Sequence, residues 1–391
     1  MRVAIDARPA LDPRRTGVGH YTEQLIRHLP SADPGDEFIA WYLHARGLFR
    51  PRQFFADAAA QNLTEKASRF PARIFQPASW RLRVPRLEWL LEFDLFLATN
   101  FLAPATSRPR RVIPVVHDLA FRRFPETAPH IDARWRRRFA DALQQAPAII
   151  VPSRSVQADV REAFGAAADR VHLVHHGVDA DAFAPVSQAV IDAVRARFGI
   201  ARTYVLFVGG FEPRKNLEQL VRSFARIDTT DVSLVLAGGP VRWFPQATDR
   251  LEASIGLLPS AIQDRVIRTG YLADRDKLAL LSGATLLAYP SLYEGFGFPI
   301  LEAFAAGVPV LTSNVSSLPE VAGDAAVLVD PLDTDAIASA LTELLSDADL
   351  RAVLSAAGVA RAARFTWEAT ARATAAVLQA AAPGGRAPGG G

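Results

Sequence analysis

The chain contains no cysteine. That absence excludes disulfides, zinc ribbons, iron–sulfur clusters and thiol nucleophiles together, and it fits a reducing compartment. Methionine occurs once, and lysine supplies only three of the 44 basic residues, so arginine carries almost all of the positive charge. No stretch reaches the roughly 18 uninterrupted apolar residues of a membrane span. The opening Met1-Arg-Val-Ala-Ile-Asp6 is a short strand-like run, without the apolar stretch and small-residue cleavage site of a signal peptide. A protein made in the cytoplasm is expected.

What is present is globular. The 391 residues are comfortable for two domains, and half of them are hydrophobic, enough to build a core in each. The net charge of +3 is uneven: residues 1–185 hold 26 Arg and Lys against 20 Asp and Glu, and the remainder holds 18 against 21. Arg110, Arg111, Arg122, Arg123, Arg134, Arg136, Arg137 and Arg138 make one basic stretch. It reads either as a surface for peripheral contact with anionic lipid on the inner face of the plasma membrane or as the solvated helix face of an arginine-rich chain. Interleaved aromatics of a nucleic-acid module are missing, so no nucleic-acid partner is expected.

Short apolar runs recur, each followed by a helical pattern. They are Val3–Ala7, Phe38–Leu43, Leu95–Thr99, Val112–His117, Ala148–Pro152 and Val171–His175 in the first half. In the second they are Tyr204–Val208, Ser233–Ala237, Val266–Gly270, Thr285–Tyr289, Val310–Thr312 and Ala326–Val329. Runs that are apolar throughout describe strands buried on both faces, hence parallel sheets in an α/β architecture. Twelve strands divide more easily into two sheets of about six than into one. The boundary falls in Asp181–Ile200, giving an N-terminal domain of 1–185 and a C-terminal domain of 200–365. A helix over 366–382 follows with no strand after it, and a Gly/Pro-rich tail, 383–391, reads as disordered.

Ligands of open α/β sheets bind at the carboxyl ends of strands, where loops meet helix N-termini. Four such loops stand out. In Thr16-Gly-Val-Gly-His-Tyr21, Gly17 and Gly19 permit either close approach of a phosphate to a helix start or a simple turn. In Val208-Gly-Gly-Phe-Glu-Pro-Arg-Lys-Asn216, Gly209 and Gly210 free the backbone beside two adjacent cations, Arg214 and Lys215. A fork and a point charge together suit a diphosphate, or the two are a solvated pair at a helix start, and Asn216 is placed to cap the next helix. In Tyr293-Glu-Gly-Phe-Gly-Phe-Pro-Ile-Leu-Glu-Ala303, Glu294 and Glu302 flank a loop of Gly295, Phe296, Gly297 and Phe298. Pro299 suits a first helical turn, and two such carboxylates either accept from the hydroxyls of one ligand or are the surface acids of an ordinary capped helix. In Val115-Val-His-Asp-Leu119, His117 ends a strand and reads as a donor to a hydroxyl or as a satisfied structural histidine. No strand-end loop is read as a metal clamp for a diphosphate, and His175 and His176 lack a carboxylate cluster at ligand spacing, so no metal is expected.

Glu294-Gly-Phe-Gly-Phe-Pro-Ile-Leu-Glu302 resembles the E-x7-E signature of glycosyltransferase family 4, retaining transferases of the GT-B fold. The resemblance runs from Gly17–Gly19 through His117-Asp118, Pro152-Ser153, His176-Gly-Val-Asp179 and Val208–Asn216 to Glu302. It implies two Rossmann-like domains facing across a cleft, with the last helix crossing back to the N-terminal one. It further implies that Gly17, Gly19, Gly209 and Gly210 approach the donor and that Arg214 and Lys215 stabilise the leaving diphosphate in place of a metal. Glu302 would hold the ribose. Glu294 would contact the transferred sugar with the backbone N–H groups of Gly295–Phe298, and His117 would contact that sugar from the opposite side. No cofactor is implied. The sequence departs from the family at Gly210-Phe211, where many members have Gly-Arg, and at His175-His176-Gly177, where Pro-Asn-Gly is commoner.

Thr16–Tyr21 and Val115–Arg123 resemble bacterial mannosyl- and rhamnosyl-transferases of surface polysaccharide assembly. That implies GDP-mannose as donor and a saccharide or polyprenyl-linked saccharide as acceptor, the latter met by variable loops within Gly47–Arg83. UDP-glucose and dTDP-rhamnose are alternative donors. A nucleotide-sugar epimerase, a phosphorylase and a silent sugar-nucleotide-binding subunit are the competing classes. A phosphorylase needs a pyridoxal-phosphate lysine, and Lys277, at an Asp-Arg-Asp-Lys helix start, is poorly placed for one.

Overall fold

A computed structural model of the chain describes residues 1–12, 16–44, 54–55, 58, 60–70, 74–75, 78–125, 128, 131–166, 168–183, 186–241 and 244–382. The tail 383–391, Pro185 of the expected boundary and much of 47–83 lie outside the described residues. The chain divides into two compact units. One is built from Met1–Leu119, Ile131–Gly177 and the segment beginning at Trp367; the other from Ala120–His130 and Val178–Thr366.

The first unit holds β1 (Arg2–Asp6), β2 (Glu37–Leu43), β3 (Leu63–Ser68), β4 (Leu95–Ala98), β5 (Val112–Pro114), β6 (Ile149–Val151) and β7 (Val171–Leu173). The first five form one parallel sheet in the order β3-β2-β1-β4-β5. β6 pairs with β7, and a parallel bridge from Val115 to Ile150 carries the line of strands onward from β5. The second unit holds β8 (Thr203–Val208), β9 (Val232–Ala237), β10 (Val266–Gly270), β11 (Leu286–Tyr289), β12 (Val310–Ser313) and β13 (Val327–Val329). Its parallel sheet runs β10-β9-β8-β11-β12-β13. Both sheets place their strands third, second, first, fourth, fifth, so each has a switch point between its first and fourth strands, where ligands of such sheets bind.

All twelve apolar runs appear as strands. Val205, Leu206 and Phe207 show why: they are consecutive and all fully buried, which requires helices on both faces of the sheet. The thirteenth, β3, was absent from the sequence reading. Its Leu-Thr-Glu-Lys-Ala-Ser run is polar and lies at the sheet edge against β2, where continuous burial is not needed. The stretch Gly47–Arg83, read as variable loops, therefore contains a strand.

Helix termini follow local chemistry. Thr16 accepts from the Gly19 N–H to start Gly17–Ala32, and Ser153 accepts from Val156 N–H to start Arg154–Phe164. Asn216 differs from expectation. It precedes the helix Leu217–Phe224 with a left-handed φ of 61°, but its side chain makes no cap. Its amide donates instead to the carbonyls of Pro290 (3.1 Å) and Pro331 (2.7 Å), because the loops after β11 and β13 offer it buried acceptors. The helix Trp367–Ala380 lies on Gly17–Ala32 within the first unit. Thr370 donates to the His175 carbonyl at 2.8 Å, and Gln379 donates to Asp33 at 2.7 Å.

In the second unit the helix Phe298–Ala305 is anchored by Ile300, Leu301, Ala303 and Phe304, all fully buried. The helix Ala348–Ala362 packs on it so closely that a Cβ at Gly358 would stand 2.6 Å from the Phe304 ring. Phe304→Ala is expected to cost about 3–5 kcal/mol through the cavity it leaves, read as a lowered urea midpoint for the second unit. A loss below about 1 kcal/mol would show that this packing does not hold the helix.

Candidate active site

The loops leaving β8 and β11 meet at the switch point of the second sheet. After β8 the chain passes Gly209 and Gly210 into a single 3-10 turn, Pro213–Lys215, which presents both cations. After β11 it passes Pro290–Tyr293 to Glu294 and then into the helix Phe298–Ala305. Backbone bonds lace the two loops: Leu292 N–H donates to the Arg214 carbonyl at 2.8 Å. Arg214 Nη1 donates to the Tyr293 carbonyl at 3.2 Å.

At their junction lies Glu294, only 6 % exposed. Lys215, 7 % exposed, donates from Nζ to Glu294 Oε1 at 2.6 Å and to the Tyr289 hydroxyl at 2.6 Å. Tyr289 donates in turn to Glu294 Oε1 at 2.9 Å. Arg214 takes the other oxygen, Nη1 to Oε2 at 2.6 Å, and its Nε is held by Glu212 at 2.7 Å. Burial drives the Glu294 carboxyl upward, but the neighbouring Arg214 and Lys215 outweigh it and bring its pKa to about 2. Lys215 is pushed below the usual lysine value by burial and by Arg214, against the opposing pull of Glu294 and Glu212. The Tyr289 hydroxyl is driven up by burial and by Glu294, so it stays a donor. The result is a carboxylate fixed by two cations and a phenol.

The backbone around it is held as firmly. Ser316, itself at φ 54°, accepts from Glu294 N–H at 3.0 Å, and Ser317 donates to the carbonyls of Glu294 (2.9 Å) and Phe296 (2.7 Å). Gly297 sits at φ 125°, which a side-chain-bearing residue rarely adopts, so the turn into the helix needs glycine there. Phe298 opens that helix and Pro299 occupies its first turn. Glu302 lies one turn in, where both its oxygens face Lys277 Nζ, at 3.1 and 3.2 Å. The Asp-Arg-Asp-Lys segment is thus a helix start whose Asp276 pairs with Arg197 at 2.7 Å and whose lysine reaches Glu302. The family departure at Phe211 is packed inward, buried, with its N–H on the Gly239 carbonyl at 2.9 Å.

Gly17, Gly19 and His117 belong to the first unit. Gly19 is required by packing: a Cβ there would stand 2.7 Å from the Pro9 carbonyl oxygen. His117 follows β5, where Nε2 donates to the Thr99 carbonyl at 2.7 Å and Nδ1 faces His176 Nε2 at 3.4 Å. Since a carbonyl only accepts, the Nε2–H tautomer follows. Thr99, at the end of β4, donates to the Asp6 carbonyl at 2.6 Å at the end of β1, so this chain of bonds marks the first sheet's switch point. Tyr21 packs on both histidines, with centroids 5.1 and 4.3 Å away. Burial lowers both histidines; the neighbouring histidines lower His176 further, while the Thr99 carbonyl and Asp118 partly restore His117. The second family departure, His176, is therefore a buried partner of His117.

Gly17, Gly19 and His117 lie in the first unit, and Arg214, Lys215, Glu294 and Glu302 lie in the second. The structure gathers Arg214, Lys215 and Glu294 into one cluster. Tyr289, Lys277, Glu212, Ser316 and Ser317 had no site role in the sequence reading. The scarcity of lysine was the available signal for Lys277: two of three lysines in the chain bind the two glutamates of one segment.

Residues 15–182 match the family model described as Glycosyltransferase Family 4, and residues 192–361 match that of Glycosyl transferases group 1. O-antigen chain mannosyltransferase B of Escherichia coli is 30% identical over 376 residues, covering 90% of this chain and 93% of that protein. The serotype-specific mannosyltransferase WbdA of Escherichia coli is 31% identical over 279 residues, 68% of this chain and 33% of that longer protein. The structure of Anabaena HepE in complex with UDP and glucose aligns with a TM-score of 0.73 at 19% identity, covering 97% of this chain and 99% of that one. WaaG, a glycosyltransferase involved in lipopolysaccharide biosynthesis, aligns at 0.68 with 15% identity over 97% and 99%. These two share the fold, α/β with two Rossmann-like units.

The buried histidines predict acid sensitivity of the first unit. Their folded pKa values are depressed, so the unfolded chain binds protons first; stability is full above about pH 6.5 and falls as pH drops below it. The Glu294 contribution persists lower, draining away only between about pH 4.5 and about 2. Five of the six tryptophans lie in the first unit's segments, so urea titrations followed by tryptophan fluorescence report on it. Between pH 7.5 and 5.5 the unfolding free energy is expected to fall by up to about 1.4 kcal/mol per pH unit per histidine. His176→Asn should flatten the slope, and an unchanged slope would show that the pair is not the titrating element.

Proposed function

The chain belongs to the glycosyltransferases of family 4 and group 1, and on that premise we propose that it transfers mannose from GDP-mannose to a saccharide or polyprenyl-linked saccharide, with retention of configuration, in polysaccharide biosynthesis. The observation that carries the reading is the Glu294 carboxylate gripped by Lys215 and Arg214 at the carboxyl edge of β8 and β11. The mannosyltransferase names of its relatives support the choice of sugar, and the O-antigen relative supports the pathway class.

Loss of a nucleoside diphosphate leaves an oxocarbenium-like sugar and builds negative charge on the phosphate oxygens. Fixed donors aimed at that charge lower the barrier. Lys215 spends two of its three N–H donors on Tyr289 and Glu294, which leaves the third for a phosphate oxygen. Arg214 supplies a second, oriented cation, so the pair takes the place of a metal ion. Glu294, with the backbone N–H groups of Gly295–Phe298, orients the transferred sugar. Glu302 accepts from the ribose hydroxyls. Gly209 and Gly210 keep the floor of the phosphate site open. In the first unit we assign Gly17 and Gly19 to phosphate approach and His117 to a sugar hydroxyl. The departing phosphate accepts the acceptor's proton on the same face, so no protein nucleophile is needed, in contrast to a two-carboxylate glycosidase.

Among the described residues no helix is long and apolar enough to cross a membrane. We assign the protein to the cytoplasm, with Arg110, Arg134 and Arg137, all exposed, available for peripheral contact with an anionic inner membrane surface.

A thermal-shift screen of GDP-, UDP- and dTDP-sugars tests the donor. GDP-mannose at about 100 times its Kd should stabilise by about 2.7 kcal/mol, and a larger shift from UDP-glucose or dTDP-rhamnose would replace it as donor. Lys215→Ala is expected to remain folded and to lose at least about 100- to 1,000-fold in transfer. Normal turnover in that variant, a strict manganese requirement, or conversion of nucleotide-sugar without acceptor would overturn the mechanism.

A further inference from the structure

Between Ile74 and Leu91 the chain carries a single acid, Glu88, and its arginines alternate with apolar residues as Arg81-Leu82-Arg83-Val84-Pro85-Arg86. The segment is held at both ends. Ser79 and Leu87 are fully buried, and both tie to Ala105, whose N–H donates to Ser79 Oγ at 2.7 Å and whose carbonyl accepts from Leu87 N–H at 2.8 Å. Between these anchors every residue from Arg81 to Val84 is exposed, and so is Arg86. Leu82 is 71% exposed, and Trp89, in the 3-10 turn Leu87–Trp89, is 64% exposed.

Single exposed apolar side chains are ordinary. Here they are large, gathered in one short segment and interleaved with cations. The core does not draw on them: Phe75, Leu87 and Leu91 are the members of the stretch buried with Trp41 and Phe96. The one acid is turned aside. Glu88 Oε1 accepts from Ser107 N–H at 2.9 Å and from the Thr106 hydroxyl, which draws the loop bearing the exposed Arg108 and Arg110 alongside. Arg86 stands over the Trp89 ring, 5.9 Å from its centroid.

That chemistry fits an anionic bilayer. Arginine forks suit lipid phosphates, arginine stems lie along apolar surface, and tryptophan is favoured at headgroup depth. A protein partner of standard size takes about 20–30 residues a side, whereas a bilayer needs only the tips of one segment.

We propose that Arg81–Trp89 is a membrane-docking element of the first unit. Leu82, Val84 and Trp89 enter the boundary between headgroups and acyl chains, and Arg81, Arg83 and Arg86 hold anionic lipid headgroups. The proposal rests on the reading of peripheral membrane contact and moves its apolar part to an element outside that reading.

Cosedimentation tests both, with vesicles of phosphatidylcholine alone and of phosphatidylcholine mixed with phosphatidylglycerol. The proteins are wild type, Leu82→Ser/Trp89→Ser, Arg81→Gln/Arg83→Gln/Arg86→Gln and Arg110→Gln/Arg134→Gln/Arg137→Gln. Because the chain has no cysteine, Leu82→Cys carrying a polarity-sensitive dye reports insertion directly. Wild type should prefer the anionic vesicles, Leu82→Ser/Trp89→Ser should lose at least about tenfold in partitioning, and the Arg81 triple variant about fivefold per arginine. The dye at position 82 should shift to shorter wavelength on anionic vesicles only. If wild type binds while Leu82→Ser/Trp89→Ser binds equally well and the dye does not shift, the proposal is overturned and the peripheral reading stands on Arg110, Arg134 and Arg137. If wild type binds neither vesicle, both fall, and the segment is left to a protein partner.

Discussion

One buried carboxylate organises the second unit's ligand edge. Glu294 cannot sit at its depth as an unpaired anion, and its two oxygens are taken by Lys215 and Arg214 from the neighbouring loop. Such a cluster contributes little net stability, because desolvation of its charges offsets their attraction. Its effect is geometric. Each cation holds a different oxygen, so the way the two loops meet depends on both. The lacing through Leu292, Tyr293 and Asn216, and the Ser316–Ser317 pins beneath Glu294 and Phe296, all serve the same junction. The strands bring the loops near; the charges decide how they meet.

How much of this was legible depended on whether the signal was local. Strands buried along their length, such as β8 and β9, are visible as unbroken apolar runs, and each of the twelve runs read from the sequence became a strand. β3 was invisible because an edge strand needs no such run. Arg214, Lys215, Glu294 and Glu302 stand out because glycines and adjacent charges sit beside them in sequence. Tyr289 looked like the end of a strand, and only tertiary structure turns its hydroxyl toward Glu294. Lys277 was dismissed for one chemistry and not considered for another. Asn216 illustrates the reverse error: its type and place suit a helix cap, yet two carbonyls distant in sequence compete for the same amide and win.

The glycines divide along similar lines. Gly297 is needed for a backbone angle, and Gly19 for a carbonyl lying where its Cβ would be. Glycines that look alike as openings for a phosphate therefore carry packing duties of their own. Both units show the same strand order and the same reversal, and each places hydrogen-bonded polar groups at that reversal. In the second unit they are charged and clustered. In the first they are the Asp6–Thr99–His117–His176 series, which is neutral at its histidine end.

The helix Trp367–Ala380 has a consequence for the birth of the molecule. It packs on Gly17–Ala32, with Trp367 buried near Tyr21, and ties itself to Asp33 and to the His175 carbonyl. The first unit is thus assembled from segments made at opposite times, whereas nearly all of the second is one continuous stretch of chain. Domains generally fold as they leave the ribosome, the earlier before the later. Here the order inverts: the second unit has all its strands while the first still waits for its last helix. Until then the face of Gly17–Ala32 that this helix covers lacks its partner.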